Sequence, residues 1–277
     1  MQNGDGKALN MRLLLACLFV AVLSMTEAAR ADDIQLYAAG SLRAALTDIA
    51  KAFAAKTGNR VQGRFGPSGV LEKEIASGAK ADVFASANME YPRMLNRADK
   101  SGPVTRFTRN KLCALVRPGL KVDSGNLVDR MLDPSIKLGT STPNSDPSGD
   151  YAFEIFRKVD AIKPGAGAIL EKKALKLTGS ATSAVPPAGH AVYGWHIAEG
   201  RADMFLAYCT AAAEAQKQYP DQQIVPLPRP LAVGADYGLT VIKGAPPAAE
   251  QFAQFILSSA GQNILIGYGF APGQNER

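Results

Sequence analysis

The chain has 277 residues, 47% apolar and 20% charged, enough for a real core in one large or two modest domains. Its formal net charge of +6 comes without any lysine/arginine block interleaved with aromatics, which argues against a nucleic-acid surface. Such a mild positive excess suits a solvated basic face that also draws in small anions.

The first 31 residues read as a cleavable secretory signal. Arg12 precedes an unbroken apolar run from Leu13 to Leu23, too short to span a bilayer, and Ala29-Arg30-Ala31 fits a leader-peptidase site before Asp32. Met11 is a possible start. Leu15-Ala16-Cys17 faintly matches a lipoprotein box, but the apolar run continues past Cys17. Cleavage removes three basic and two acidic residues, so +6 becomes +5. No later stretch is long and apolar enough to cross a membrane, so the expected mature protein is exported, soluble and monomeric. Of its cysteines, Cys113 and Cys209 remain; in an oxidising compartment they either pair or stay as two buried thiols.

From Ile34 the pattern alternates through Leu36 and Ala38, a short buried strand, and after Gly40 it changes to helical spacing at Leu42, Leu46, Ile49 and Phe53. Ser41 stands at the junction, either capping its own helix or, with the first amides, facing an anion. The arrangement recurs: strand Val61–Phe65, the turn Gly66-Pro67-Ser68-Gly69, then a helix carrying Leu71 and Ile75 to about Gly78. Ala81–Ala85 is a third strand and Glu90 to Ala98 a helix. Strands alternating with helices predict a parallel sheet of βαβ units, with ligands beyond the strands' carboxyl ends, where both serines fall.

Lys111 to Val116 predicts a strand leading to a second domain, and Ile136–Gly139 another. The breaker-rich run from Ser141 to Gly149 feeds a helix with Ala152, Ile155, Phe156 and Val159 on one face, so a third serine, Ser148, precedes a helix start. Asp146 and Asp150 are expected to favour that helix end while pointing to solvent. Gly165 to Gly179 suggests a helix and loop, and His190 opens a helix running through Trp195 to Glu199. Gly200 to Tyr208 then echoes Gly78 to Ser86, and Tyr208 ends its strand where a ligand would sit. Tyr237–Ile242 predicts a strand and Ala248–Ser258 a helix, which Gly261–Leu265 extends.

Together and in order, Tyr37-Ala38-Ala39-Gly40-Ser41-Leu42, Phe65-Gly66-Pro67-Ser68-Gly69, Lys80 to Ala87, Ala202 to Tyr208 and Tyr268-Gly269-Phe270 resemble the periplasmic molybdate-binding proteins of ABC importers, in the type II solute-binding superfamily. The resemblance runs nearly end to end. It implies an α/β protein of two lobes, each a mostly parallel sheet flanked by helices, with the ligand in the cleft between them. Lobe 1 would comprise 32–112 and 240–277, and lobe 2 would comprise 113–239. It further implies capture of molybdate, and also tungstate, for delivery to a membrane permease, with no enzyme activity, resident cofactor or direct cation site. By position the oxyanion-binding hydroxyls fall on Ser41, Ser68 and Tyr208, and second-lobe amides fall near Ser148 and His190. The chain departs from the pattern at Gly69, where some relatives carry serine, and at His190, usually apolar. Its Asp146-Pro147-Ser148-Gly149 turn is closer to tungstate-binding cousins with carboxylate ligands, but Ala207 stands where those cousins have an acidic residue. The expectation is therefore tetrahedral recognition without a carboxylate.

Parts of the sequence also fit other functions. A secreted serine hydrolase would use Ser68 with His190 or His196 as base, but the glycines around Ser68 are misplaced for a nucleophile elbow. A metal site from His190, His196 and Cys209 lacks helical stacking of its histidines. A regulator's effector domain would need a DNA-binding segment. Within the binding proteins, sulfate, phosphate and small carboxylates remain alternatives.

Overall fold

The computed structural model describes residues 33–273, so the signal segment lies outside the described residues. The alternation at Ile34, Leu36 and Ala38 becomes the buried face of strand β1 (Asp33–Ala39). Helix α1 (Arg43–Thr57) lays Leu46, Ile49 and Phe53 against it and stops at Gly58, whose φ of 79° suits glycine. Strand β2 (Arg60–Gly66), helix α2 (Ser68–Ala76), strand β3 (Val83–Ser86) and helix α3 (Glu90–Arg97) complete the first pattern. β1 pairs in parallel with both β2 and β3.

The long strand β4 (Thr105–Val116) enters next, starting earlier than its apolar end suggests. Helix α4 (Leu127–Leu132), strand β5 (Leu138–Ser141), helix α5 (Pro147–Ile162), helix α6 (Ala166–Lys173) and strand β6 (Leu175–Thr178) follow. Then come helix α7 (Val192–Ala198), strand β7 (Met204–Tyr208), helix α8 (Cys209–Gln218), strand β8 (Gln223–Pro226) and strand β9 (Gly234–Val241). Helices α9 (Pro247–Leu257) and α10 (Ser259–Gly267) and the short strand β10 (Ala271–Pro272) close the chain.

The sheet order is β2-β1-β3-β9-β4-β7-β5-β6, with β8 and β10 also on β4. β5 pairs in parallel with β6 and β7, so the outer strands behave as βαβ units. The centre does not: β9 is antiparallel to β3 and β4, and β7 and β8 are antiparallel to β4. β4 changes partner along its length. Thr105 to Lys111 bonds β9, and Leu112 to Val116 bonds β7 and β8. One strand thus serves both ends of the sheet.

The repeated approach to β3 and β7 has a structural counterpart. Asp82 accepts the Gln35 amide at 2.7 Å, and Asp203 accepts the Lys137 amide at 2.8 Å. Each carboxylate, placed just before the start of its own strand, secures the neighbouring parallel strand. Cys113 and Cys209 are joined in a disulfide, their Cα atoms 5.0 Å apart, which resolves the alternative of separate thiols.

Three elements depart from the sequence expectation. β6 lies where a loop was expected, and its Leu175 is substantially exposed, so apolar burial did not mark it. β8 is four residues ending in proline. Gly261–Leu265 does not extend α9, because Ser258 adopts extended backbone and accepts the Gly261 amide, capping a new helix. Among the described residues no helix is long and apolar enough to cross a membrane.

Candidate functional site

Ser41 lies in a 3-10 turn, Gly40–Leu42, between β1 and α1, and neither flanking cap uses a side chain. Its hydroxyl instead meets the Tyr237 hydroxyl at 3.0 Å. Ser68 is the first residue of α2, after the cap residue Pro67, and is completely buried. Its oxygen accepts the Ala87 amide at 3.1 Å. Since a backbone N–H can only donate, the Ser68 proton is left to donate elsewhere. Neither serine is spent on capping its helix.

Tyr208, at the end of β7, donates toward the Ala87 carbonyl at 3.4 Å. Its ring packs 5.6 Å from Tyr237 and 6.3 Å from Tyr151. Ser41, Ser68 and Tyr208 are therefore gathered through two shared neighbours, Tyr237 and Ala87. Tyr237 comes from β9 and Ala87 directly follows β3. Burial pushes the Tyr193, Tyr208 and Tyr237 hydroxyls well above the usual phenol range, so all three are neutral donors at physiological pH.

Ser148 stands in the first turn of α5, a 16-residue helix. It is fully buried, and its hydroxyl has no hydrogen-bond partner among the described residues. The Tyr193 hydroxyl lies close to both Ser148 and Ser141. The Ser148 amide, however, is taken by the Asp146 carboxylate at 3.1 Å. What this residue has left to offer is its hydroxyl rather than the amide.

Asp146 caps α5 as expected, but it does not point to solvent. Its second oxygen accepts the Ser141 hydroxyl at 2.7 Å, and burial pushes its carboxyl up to about 6. Asp150 is raised too, by burial, and its carboxylate accepts the Asn144 amide. The turn before α5 also meets α2, where the Gly69 amide donates to the Ser145 carbonyl at 2.8 Å. A Cβ on Gly69 would lie 2.7 Å from the Tyr91 hydroxyl and 2.8 Å from that carbonyl. A side chain at this position would therefore disturb the contact between α2 and the turn before α5.

His190 is not gathered with the others. It is exposed, its Nδ1 meets the Tyr219 hydroxyl at 2.7 Å, and its amide donates to the Pro187 carbonyl. Helix α7 begins only at Val192, because Pro186, Pro187 and Gly189 keep the preceding stretch irregular. Tyr193, the second residue of α7, is the one that lies near Ser141 and Ser148. His196 is buried beside Trp195 and Phe205, and both its ring nitrogens lack partners among the described residues. Neither histidine is placed to serve Ser68 as a base. Cys209 is committed to its disulfide, and among the described residues no three His, Cys, Asp or Glu side chains cluster as a metal site.

Tyr237, Tyr193 and Asn110 escaped the sequence reading. Tyr237 carried a signal, a polar-tipped residue on a strand's buried face, whereas Asn110 and Tyr193 are legible only once β4 and α7 are placed.

The fold is that of the type II periplasmic binding proteins, a class of two-ended α/β sheets. Residues 34–271 match the family model described as bacterial extracellular solute-binding protein, and the chain belongs to that family, one of binding proteins rather than enzymes. An uncharacterised protein of Pasteurella multocida is 30% identical over 240 residues, covering 86% of this chain and 98% of its own. The molybdate-binding protein ModA of Haemophilus influenzae is 25% identical over 263 residues, covering 92% and 95%. Among solved structures, the sulfate-binding protein SubI of Mycobacterium tuberculosis superposes with a TM-score of 0.73 at 22% identity, covering 87% of each chain.

Proposed function

We propose that the mature chain is a periplasmic receptor, exported by a signal ending near Ala31, that holds a tetrahedral oxyanion between two lobes. Its preferred ligand would be molybdate, with tungstate also bound, for delivery to an ABC permease; it would act as a monomer without a resident cofactor. The lobes would be 32–112 with 240–277, and 113–239. The observation that carries the reading is the fully buried Ser148 hydroxyl, which makes no hydrogen bond of good geometry among the described residues and has the Tyr193 hydroxyl beside it. Leaving such a group unpaired costs about 1–3 kcal/mol, a cost that a bound acceptor removes.

Ser41, Ser68, Ser148, Tyr193 and Tyr208 would surround the ligand with neutral hydroxyl donors. Molybdate and tungstate carry no proton near neutral pH, so a donor-only shell satisfies every oxygen and leaves none of its own groups idle. Each hydrogen bond to a charged group contributes about 1.5–3 kcal/mol. Five of them give roughly 8–15 kcal/mol before association and desolvation costs. Micromolar to nanomolar affinity needs about 8–12 kcal/mol, so the donors are sufficient if the site is preorganised. The similarity to the Haemophilus influenzae molybdate-binding protein supports the choice of anion.

A second reading rests on Asp146. A carboxyl pushed up to about 6 suits a site that accepts a proton from its ligand, as hydrogen phosphate would require. Calorimetric titration of the mature protein with molybdate and with phosphate at pH 7.5 separates the two. Tight molybdate binding with weak or absent phosphate binding supports the first reading, and the reverse supports the second.

A further inference from the structure

We infer that Tyr237 and Asn110 form a relay that fixes the direction of the Ser41 hydroxyl, so that Ser41 always donates to the bound anion. This rests on the proposed oxyanion site.

The relay starts at a group whose polarity is not in question. The Lys111 backbone N–H donates to the Asn110 Oδ1 at 2.9 Å, which settles the amide's orientation. The Asn110 Nδ2 therefore has both protons to give. One goes to the Thr210 hydroxyl oxygen at 2.8 Å and the other to the Tyr237 oxygen at 3.3 Å. Tyr237 is 0% exposed, so its own proton must find an acceptor inside the protein. Two hydroxyls lie within its reach, Ser41 at 3.0 Å and Tyr208, whose own proton is directed to the Ala87 carbonyl. Were Ser41 the donor there, the buried phenol proton would be left with Tyr208 alone as acceptor, a constraint that Ser41, only half-buried, does not face. Tyr237 thus donates, Ser41 accepts, and the Ser41 proton is turned away from the protein.

The consequence is preorganisation. A free serine hydroxyl rotates and accepts as readily as it donates. Held this way, Ser41 resembles Ser68, whose oxygen is filled by the Ala87 amide. Tyr237 and Asn110 are positioning residues, and their effect on binding must pass through Ser41.

A double-mutant cycle tests this by molybdate titration calorimetry on the mature, disulfide-bonded protein, with ligand-free melting temperatures as a check on folding. Tyr237→Phe should weaken molybdate about five-fold or more, and Asn110→Leu, which spares the Tyr237–Ser41 contact but removes its anchor, should also weaken it. In a Ser41→Ala background both substitutions should add less than about two-fold, because coupled residues are not additive. Full additivity, or a Tyr237→Phe affinity within about two-fold of the parent while Ser41→Ala is impaired, overturns the relay. A Ser41→Ala protein that binds like the parent, or a parent that does not bind molybdate, overturns the oxyanion reading on which the relay rests.

Discussion

The Gly69 amide donates to the Ser145 carbonyl at 2.8 Å, tying the start of α2 to the turn that opens α5. A backbone bond between these segments brings the Ser68 and Ser148 regions together and requires an approach that a side chain would block. Gly69→Ala should hold the two segments apart, since its Cβ would lie 2.7 Å from the Tyr91 hydroxyl and 2.8 Å from the carbonyl. The expected outcome is an affinity loss of about ten-fold, the equivalent of one hydrogen bond near 1.4 kcal/mol. Ligand-dependent compaction in small-angle scattering should shrink in parallel. Unchanged affinity and compaction would show that this contact plays no part in binding.

The hydroxyls can be ranked by substitution. Ser68→Ala, Ser148→Ala and Tyr208→Phe should each weaken oxyanion binding about ten-fold or more, because each removes a donor to a charged ligand. His190→Ala should stay within about two-fold, since the ring is exposed and bonded to Tyr219. Titration calorimetry on the four variants checks both statements. A large loss at His190 would place the site elsewhere.

Asp146 makes binding depend on pH. Burial pushes its carboxyl up to about 6, so at pH 7.5 it is mainly ionised and repels a dianion. Falling pH neutralises it and removes that repulsion. Affinity for a fully ionised oxyanion should therefore rise between pH 7.5 and 5.5. Asp146→Asn should bind more tightly at pH 7.5 and show a flatter profile. Sulfate or tungstate titrations across this range test the direction; an affinity that falls on acidification, or an unaltered profile in the variant, contradicts it.

The disulfide should matter for stability. Cys113 and Cys209 are 96 positions apart in sequence, and closing a loop near 100 residues lowers unfolded-chain entropy by an amount worth about 4–5 kcal/mol. For a chain of this size that corresponds to roughly 10 °C or more in melting temperature. Melting with and without reductant, and of Cys113→Ala/Cys209→Ala, measures it. Because Cys209 directly follows Tyr208, reduction should also loosen ligand binding.

The sequence made the outer βαβ units legible because their strands are buried and their helices amphipathic, as at Ile34, Leu36, Leu46 and Ile49. Ser41, Ser68 and Tyr208 stood out as candidates because each sits where a strand ends and the chain turns. The central strands were harder. β4 and β9 exchange antiparallel partners far apart in sequence, and periodicity says nothing about direction. The residues that support the site, Tyr237 and Asn110, lie on those strands, so they became visible only with the pairing. His190 lies apart from the gathered hydroxyls because Pro186, Pro187 and Gly189 delay the helix, and Tyr193 lies near Ser148 instead.

The central claim is that this site holds a tetrahedral oxyanion by neutral donors. A thermal-shift titration of the protein from Asp32 onward, against molybdate, tungstate, sulfate, phosphate and citrate, tests it most directly. Ligand at a hundred times its dissociation constant adds about 2.7 kcal/mol of stability. The account predicts a clear upward shift with molybdate and tungstate and smaller shifts with the others. A flat response to molybdate and tungstate, whatever citrate or phosphate does, would contradict it.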